Sequence, residues 1–370
     1  MSILTPVHER HGATFTERGG RTVVSHYGRP ERTHLAVRNG AGFIEQAEDV
    51  LVVTGDDRIE YVDNIISNPV PQEEGQGIYA LLLNPHGRIR AEFYVFNAGE
   101  RLLLFAPPGE GEAIADDWNE KTFIQDVEVS FATPKFSVFG VHGPKATEKI
   151  ASVFSEGTPE KRLTFTRGSM GDVGVTVIRM DGLTGEEGYA VVCEADATTE
   201  VFDTLENRGL NAVPFGYCTW ETLTLEAGTP LFESELLDQV PNNLGLHSAV
   251  DYEKGCFVGQ EVVSRVANRG QPTKRLIGVE TDAVPETGAA IFDDDESVGT
   301  VTRAVASPTL DRPIGLALVN REVGELLGTA DALSVRIEGE DRPATPVALP
   351  FVEGSERSGR LPQSGSPIDR

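Results

Sequence analysis

One stretch of the sequence constrains the fold more than any other: residues 254–261 read Lys-Gly-Cys-Phe-Val-Gly-Gln-Glu. Two glycines bracket a cysteine and a phenylalanine, and a helical pattern of valines follows at positions 262, 263 and 266. Because glycine adopts backbone torsions closed to other residues, we expect a tight loop that delivers Cys256 just ahead of a helix N-terminus. Free N–H groups and the helix dipole favour a thiolate there. The residues alone leave a second interpretation open, in which Cys256 is a small buried hydrophobic residue.

The same stretch resembles a family signature. It matches the Lys-Gly-Cys-Phe/Tyr-x-Gly-Gln-Glu pattern of the YgfZ proteins, folate-binding relatives of the glycine-cleavage T-protein (GcvT, aminomethyltransferase). The resemblance extends over roughly residues 10–351. It implies an α+β clover-leaf fold in which residues 1–272 form two α+β lobes around a central folate site. A small C-terminal β-barrel domain is expected at residues 273–351.

The pattern of residues after position 273 also predicts a small β-barrel, because short strands alternate there with turns. The predicted strands cover residues 276–281, 290–292, 297–305, 313–319, 333–337 and 345–349. The last segment, residues 352–370, is rich in serine, glycine, proline and charge, so we expect it to be a disordered tail.

Charge and cysteine content narrow the function classes. The net charge is -26, and the basic residues comprise 7 lysines and 25 arginines, which indicates a halophilic surface adapted to molar salt. Such a surface excludes a nucleic-acid-binding protein. Three widely spaced cysteines provide neither a disulfide framework nor a CxxC metal site. No signal peptide and no apolar stretch of about 20 residues is present, so we expect a cytoplasmic protein with no membrane partner.

A glutamate near the end of a predicted helix is the first candidate for cofactor binding. Residues 222–228 read Thr-Leu-Thr-Leu-Glu-Ala-Gly, similar to the family's Leu-Arg-x-Glu-Ala/Gly-Gly. Thr224 stands at the position of the usual arginine. The family's glutamate holds the pterin ring, whose planar pair of N–H donors suits a carboxylate. The resemblance therefore implies that Glu226 binds the pterin of tetrahydrofolate, whereas a helix-end glutamate considered alone is usually just solvated.

A basic island follows in this strongly acidic chain. Five cations fall within the 22 residues from 254 to 275: Lys254, Arg265, Arg269, Lys274 and Arg275. From position 252 to 275 the only acids are Glu253 and Glu261. A folate carries carboxylates on its glutamyl tail, so we predict that Lys254, Arg265 and Arg269 receive this tail. The alternative is a solvated helix face, in which Arg265 pairs with Glu261 four residues earlier.

Two other stretches depart from the aminomethyltransferase pattern. The family's hairpin ends Gly-Gly-Ile-x-Asp-Asp-Leu, with an aspartate beside the folate N5, and residues 87–93 occupy its place. Ala91 replaces the first aspartate and Glu92 the second. Ala91 cannot relay a proton, which argues against aminomethyl transfer. In the glycine-rich loop at residues 182–190, Leu183 replaces a tyrosine and Ala190 the final glutamate.

These observations lead to three hypotheses, and whether the protein is an enzyme stays open. The first is a tetrahydrofolate-binding YgfZ-like protein that supports iron–sulfur protein assembly or repair, with iron–sulfur client proteins as partners and Cys256 as a reactive thiol. The alternative is a tetrahydrofolate-dependent aminomethyltransferase or related one-carbon transferase. The third is a scaffold that binds a partner protein without folate.

Overall fold

The computed structural model describes residues 2–363, apart from the side chain of Arg269. Within this range the α-helices are α1 (Thr5–Arg10), α2 (Pro30–Arg38), α3 (Arg58–Asp63), α4 (Gly111–Glu120), α5 (Ala146–Ala151), α6 (Thr198–Asn207), α7 (Tyr217–Glu226) and α8 (Gln260–Arg269). The strands are β1 (Thr14–Arg18), β2 (Arg21–His26), β3 (Gly42–Glu45), β4 (Asp49–Thr54), β5 (Gly77–Leu83), β6 (Ile89–Asn97), β7 (Leu102–Ala106), β8 (Glu128–Phe131), β9 (Phe136–His142), β10 (Thr164–Met170), β11 (Val173–Arg179), β12 (Gly188–Glu194), β13 (Val213–Pro214), β14 (Lys274–Thr281), β15 (Ala290–Asp293), β16 (Glu296–Ser307), β17 (Arg312–Asn320), β18 (Leu333–Ile337) and β19 (Glu340–Val347).

The strands form two open sheets, a closed barrel and a short hairpin. The first open sheet has five strands in the order β5-β6-β7-β4-β8, and the second has six in the order β10-β11-β12-β9-β3-β13. Strand β3 lies in the second sheet although β4 to β8 follow it, so the five-stranded lobe is inserted between β3 and β9. The predicted α+β clover-leaf fold with a C-terminal barrel is confirmed.

The barrel closes in the order β14-β17-β16-β15-β18-β19 because β14 pairs with both β17 and β19. Alternating apolar residues fill its interior, among them Val279, Val301 and Val335. The barrel also contributes to a larger core that it shares with both lobes. Tyr94 of the five-stranded sheet, Val192 of the six-stranded sheet and Ile314 of the barrel belong to this shared core. The three units therefore meet around one central region.

The segment after the barrel corrects one expectation. We expected residues 352–370 to be disordered, but residues 353–363, the C-terminal strap, pack against both lobes. The backbone N–H groups of Arg357 and Gly359 donate to the carbonyl oxygens of Gly185 and Asp181, at 3.2 and 2.8 Å. The side chains of Ser355, Ser358 and Arg360 are buried. The strap is ordered by polar contacts with other units rather than by apolar side chains of its own. Residues 364–370 lie outside the described residues.

The loop of residues 254–259 explains most of the signature by packing. Phe257 enters the shared core, and the Gln260 side chain closes the loop by donating to the carbonyl oxygen of Lys254 at 2.8 Å. Gly259 has a positive φ of 82° where α8 begins. A Cβ atom on Gly259 would lie 2.5 Å from the carbonyl oxygen of Asn84, in the turn between β5 and β6. Glycine is therefore required here by both the torsion and the close approach.

We predict that Gly259→Ala destabilises the protein by about 2 kcal/mol or more, because alanine is strained at positive φ and would clash with the Asn84 carbonyl. Urea unfolding in molar KCl measures this difference. Gly255→Ala is the matched control, since a Cβ atom there meets nothing within 4 Å. Equal effects of the two substitutions would contradict this account of the loop.

Candidate functional site

Two tyrosines form an aromatic floor in the central region. Tyr79 of β5 and Tyr94 of β6 are cross-strand partners, and their ring centroids lie 5.1 Å apart. Burial raises the pKa of both phenols well above the usual value, so both hydroxyls stay protonated and can donate hydrogen bonds. The floor is thus apolar on its face and has two donors at its edge.

A carboxylate accepts from each of these hydroxyls. The Tyr79 hydroxyl donates to Glu92 Oε2 and the Tyr94 hydroxyl to Asp181 Oδ1, each at 2.7 Å. Alternation along β6 places Glu92 on the same face as Tyr94. Ala91 lies on the opposite face, in a separate core cluster that includes Trp118. The central region where the three units meet therefore holds the glutamate of this strand, and Ala91 does not take part in it.

Arg360 of the C-terminal strap lies over both aromatic rings. Its guanidinium carbon is 4.5 Å from the centroid of Tyr79 and 5.2 Å from that of Tyr94. Its Nη1 pairs with Glu92 Oε2 at 2.7 Å, and its Nε and Nη2 donate to the Tyr94 hydroxyl at 3.1 and 2.8 Å. Burial acts to lower the pKa of Arg360, but the charge of Glu92 and its other neighbours outweighs it and raises the pKa. Arg360 is a buried cation.

Two cavities adjoin this cluster, and the strap forms a wall of both. The larger, of about 470 Å³, is lined by Tyr79, Arg162, Asp181 and strap residues 358–359 among others. The smaller, of about 60 Å³, is lined by Glu48, Glu92, Tyr94, Trp220 and Arg360 among others. We refer to both cavities and the residues between them as the central cleft. Sequence reasoning missed Tyr79, Tyr94, Asp181 and Arg360, although the alternation of β6 around Glu92 could have indicated Tyr94.

Glu226 lies elsewhere, at the junction between α7, α2 and the barrel. Its Oε1 accepts from the Ser307 hydroxyl at 2.6 Å, and its Oε2 accepts from Arg38 Nη2 at 2.8 Å and the Thr309 hydroxyl at 3.0 Å. His34 Nε2 is 3.1 Å from the same oxygen. The side chain has no exposed surface. Both carboxylate oxygens are already bonded within the chain, which counts against the predicted role of Glu226 as a pterin ligand.

The partners of Glu226 also determine its ionisation. Burial by itself would raise the pKa of this carboxyl group. The hydrogen bond and charge of His34, the charge of Arg38 and the Ser307 hydroxyl outweigh burial and lower the pKa to about 2. Glu226 is therefore a buried anion that joins α7 and α2 to the barrel.

The described side chains of the predicted basic island do not assemble around the central cleft. Lys254 is buried, and its Nζ donates to the carbonyl oxygens of Ile66 and Asn68, at 2.8 and 3.1 Å, and of Asp63. Burial lowers the pKa of Lys254. Arg265 is exposed and pairs with Glu261, as the alternative interpretation expected. The side chain of Arg269 lies outside the described part of the chain. Lys274 and Arg275 line a different cavity, of about 470 Å³, beside the barrel.

Cys256 is exposed and its thiol is free, whereas Phe257 and Gln260 of the same loop are held by packing and by a hydrogen bond. Cys218 is also exposed, and its Sγ lies 3.1 Å from the Ser25 hydroxyl. Burial raises the pKa of the Cys193 thiol to about 12, so this cysteine is unreactive.

Over residues 2–363, no group of three or more histidine, cysteine and acidic side chains is placed to hold a metal ion. No helix in the same range is long and apolar enough to cross a membrane.

An α+β body with a shared core and a C-terminal barrel defines a recognisable class of protein. The GCVT N-terminal domain matches residues 4–254, and the glycine cleavage T-protein C-terminal barrel domain matches residues 274–353. The crystal structure of glycine cleavage system aminomethyltransferase T from Bartonella henselae has the same fold, with a TM-score of 0.84 and 22% sequence identity over 96% of this chain and 98% of that chain.

Relatives of known name agree with this class. An aminomethyltransferase of Corynebacterium aurimucosum is 30% identical over 363 residues, which cover 95% of this chain and 97% of the relative. A probable aminomethyltransferase of Halobacterium salinarum is 29% identical and is covered over 98% of its length. The chain belongs to the glycine-cleavage T-protein family. The first hypothesis placed it more narrowly among the YgfZ proteins, and these relatives do not support that narrower placement.

We predict that Glu226→Gln lowers the free energy of unfolding by about 3 kcal/mol at pH 7, because a pKa lowered to about 2 in the folded state stabilises that state above the unfolded value of 4.5. The difference from wild type should shrink as the pH falls from about 4.5 towards 2. Urea unfolding at several pH values measures it. Glu221→Gln, on the exposed face of the same helix, is the control. A difference that does not change with pH would contradict the assignment.

Proposed function

We propose that the protein is a tetrahydrofolate-dependent transferase of an aminomethyl or related one-carbon unit, with its site in the central cleft. The family and the names of the relatives support this class of reaction. The observation that carries the proposal is the position of Glu92, a carboxylate held in the cleft beside an aromatic floor. Ala91 had argued against transfer, but it lies on the other face of β6, so that objection no longer applies.

The residues of the central cleft fit a pterin. A pterin is flat and presents a pair of N–H donors on its edge. Tyr79 and Tyr94 provide a face on which a flat ring can stack. Glu92 and Asp181 provide carboxylate oxygens at the edge of that face, and the larger cavity has room for the remainder of a folate. These four residues would hold the cofactor.

Each group has a defined contribution to transfer. Bound tetrahydrofolate supplies the nitrogen nucleophile that accepts the one-carbon unit. The Tyr79 hydroxyl fixes the orientation of Glu92, which can take up or release a proton at its carboxylate beside the reacting groups. The apolar walls of the cleft, including Phe105 and Trp220, exclude water and strengthen the electrostatic effect of this carboxylate.

One observation supports a second candidate function, the assembly or repair of iron–sulfur proteins. The neighbours of Cys256 are fixed by packing and hydrogen bonds, whereas the Cys256 thiol itself is exposed and available to react. The structure gives this thiol no role in folding. The two candidate functions therefore place their chemistry in different parts of the molecule, Glu92 in the cleft and Cys256 on the loop, and can be tested separately.

We expect Glu92→Gln to lower the single-turnover rate of one-carbon transfer to tetrahydrofolate by about 100-fold or more, because glutamine cannot exchange a proton. The fold should be retained, since a glutamine oxygen can still accept from the Tyr79 hydroxyl and from Arg360 Nη1. Rapid-quench measurement of methylenetetrahydrofolate, formed from an aminomethyl donor, tests this. Glu74→Gln removes a carboxylate of the same lobe that pairs with Arg167 on the surface, and it should have no effect. An unchanged rate in Glu92→Gln would refute the proposal.

We expect Cys256→Ala to change neither the affinity for tetrahydrofolate nor the transfer rate, because the thiol takes no part in the cleft. Calorimetric titration in molar KCl and the same rate assay measure these quantities. Cys218→Ala, which removes another exposed thiol, is the control. If activities of iron–sulfur enzymes fell in cells carrying only Cys256→Ala, and not with Cys218→Ala, the second candidate function would be favoured.

A further inference from the structure

The C-terminal strap places a cation in the central cleft, and the transfer proposal gives that cation no role. Arg360 comes from a segment of small and polar residues, yet only 3% of its surface is exposed. Its guanidinium group covers the aromatic floor and contacts both Glu92 and the Tyr94 hydroxyl. Three of the four residues proposed to hold a pterin, Tyr79, Tyr94 and Glu92, thus bind Arg360, and the fourth, Asp181, accepts from the Tyr94 hydroxyl.

Specific contacts hold the strap in this path. Arg162 Nη2 donates to the carbonyl oxygens of Asp181 and Arg357, at 2.6 and 2.8 Å, and so joins the strap to the six-stranded lobe. The Thr229 hydroxyl donates to the Ser358 hydroxyl at 2.7 Å. These contacts are polar, so solvent or a ligand can replace them more readily than a packed apolar core. Of the strap side chains, Arg360 is the one that enters the cluster of Tyr79, Glu92 and Tyr94.

A guanidinium group and the edge of a pterin present the same pattern to a protein. Each has three nitrogen atoms around one carbon in a plane, and each offers adjacent N–H donors to a carboxylate. Both are flat and stack on aromatic rings. A site built from two tyrosine rings and a carboxylate can therefore accept either group in the same position.

We propose that Tyr79, Glu92, Tyr94 and Asp181 form a subsite for planar guanidine-type groups, and that Arg360 is its internal occupant, which a pterin must displace. The identity of the displacing ligand rests on the proposed function, whereas the subsite itself rests on the contacts of Arg360. Binding then requires residues near 360 to leave the cleft. The protein thereby inhibits its own site until a ligand competes with the strap.

The opposite arrangement, in which Arg360 stays in place and contacts the ligand, makes the opposite prediction. Removing a ligand contact weakens binding, whereas removing a competitor strengthens it. The apparent affinity of a partly blocked site is reduced by the fraction of molecules in which the site is free. The sign of the change in affinity therefore decides between the two arrangements.

We expect Arg360→Ala to bind tetrahydrofolate about tenfold more tightly than wild type in calorimetric titrations, as for a site that is free in about one molecule in ten. Arg360→Lys keeps the charge but loses the planar fork, so it should also bind more tightly, and it serves if the alanine variant does not fold. Arg357→Ala is the matched control, because Arg357 lies on the same strap but pairs with Glu187 outside the cleft. Unchanged or weaker binding by both Arg360 variants would overturn the proposal.

A second experiment tests the subsite without folate. Millimolar methylguanidinium should raise the Tm of Arg360→Ala saturably, because it fills the vacated subsite, and should not do so for wild type or Arg357→Ala. An equal response of all three proteins would overturn the subsite. Rescue by methylguanidinium without any folate binding would leave the subsite in place and refute the proposed function instead. Folate binding that is the same in wild type and in both Arg360 variants would refute Arg360 as the internal occupant and leave the proposed function in place.

Discussion

The position of the barrel and of the strap that follows it depends on the buried carboxylate of Glu226, which joins helices α7 and α2 to the barrel. A charge without solvent must be paired, and removal of one partner of a buried pair typically costs about 3–5 kcal/mol. The partners of Glu226 come from separate parts of the chain: Arg38 and His34 from α2, and Ser307 and Thr309 from the barrel. Satisfying this one anion therefore positions the barrel and, with it, the strap that continues from the barrel and lines both cavities of the central cleft.

Arginine makes several junctions of this kind. Arg303 of the barrel reaches Glu235 with Nε at 3.0 Å and donates from Nη2 to the carbonyl oxygen of Thr229 at 2.6 Å. Its Nη1 donates to Thr224, the residue that stands where the family's motif has an arginine. A guanidinium group suits these places because its planar fork bonds several acceptors at once. Buried lysines act differently here, since Lys254 donates only to carbonyl oxygens and an adjacent aspartate. The few cations of this acidic chain thus include several that hold its parts together.

The barrel and the start of α8 could be predicted from the sequence because their signals are local, whereas the arrangement of the two lobes was implied by the family resemblance. Alternating strands, turn residues and the loop glycines specify the barrel and the entry to α8. The partners of a buried charge are not local: Arg38 lies 188 residues from Glu226, and Arg360 lies 266 residues from Tyr94. No pattern in one sequence links such positions, so Glu226 and Lys254 suggested ligand sites although both bond within the chain. Glu92 is the site residue that the sequence could have indicated, because alternation along β6 places it on the opposite face of the strand from Ala91.

The ordered conformation of the strap also depends on residues that are distant in the sequence. Composition indicates disorder when a segment has too little apolar surface to offset its chain entropy, and residues 353–363 satisfy that description. Their order comes from hydrogen bonds that the lobes supply, so the strap depends on the junctions that hold the lobes in place. Arg38 connects the two, because it bonds Glu226 through Nη2 and the Ser355 hydroxyl through Nη1 at 3.3 Å. Glu226 keeps its barrel contacts when that second bond is lost. The strap can therefore leave the cleft without separating the units that form it.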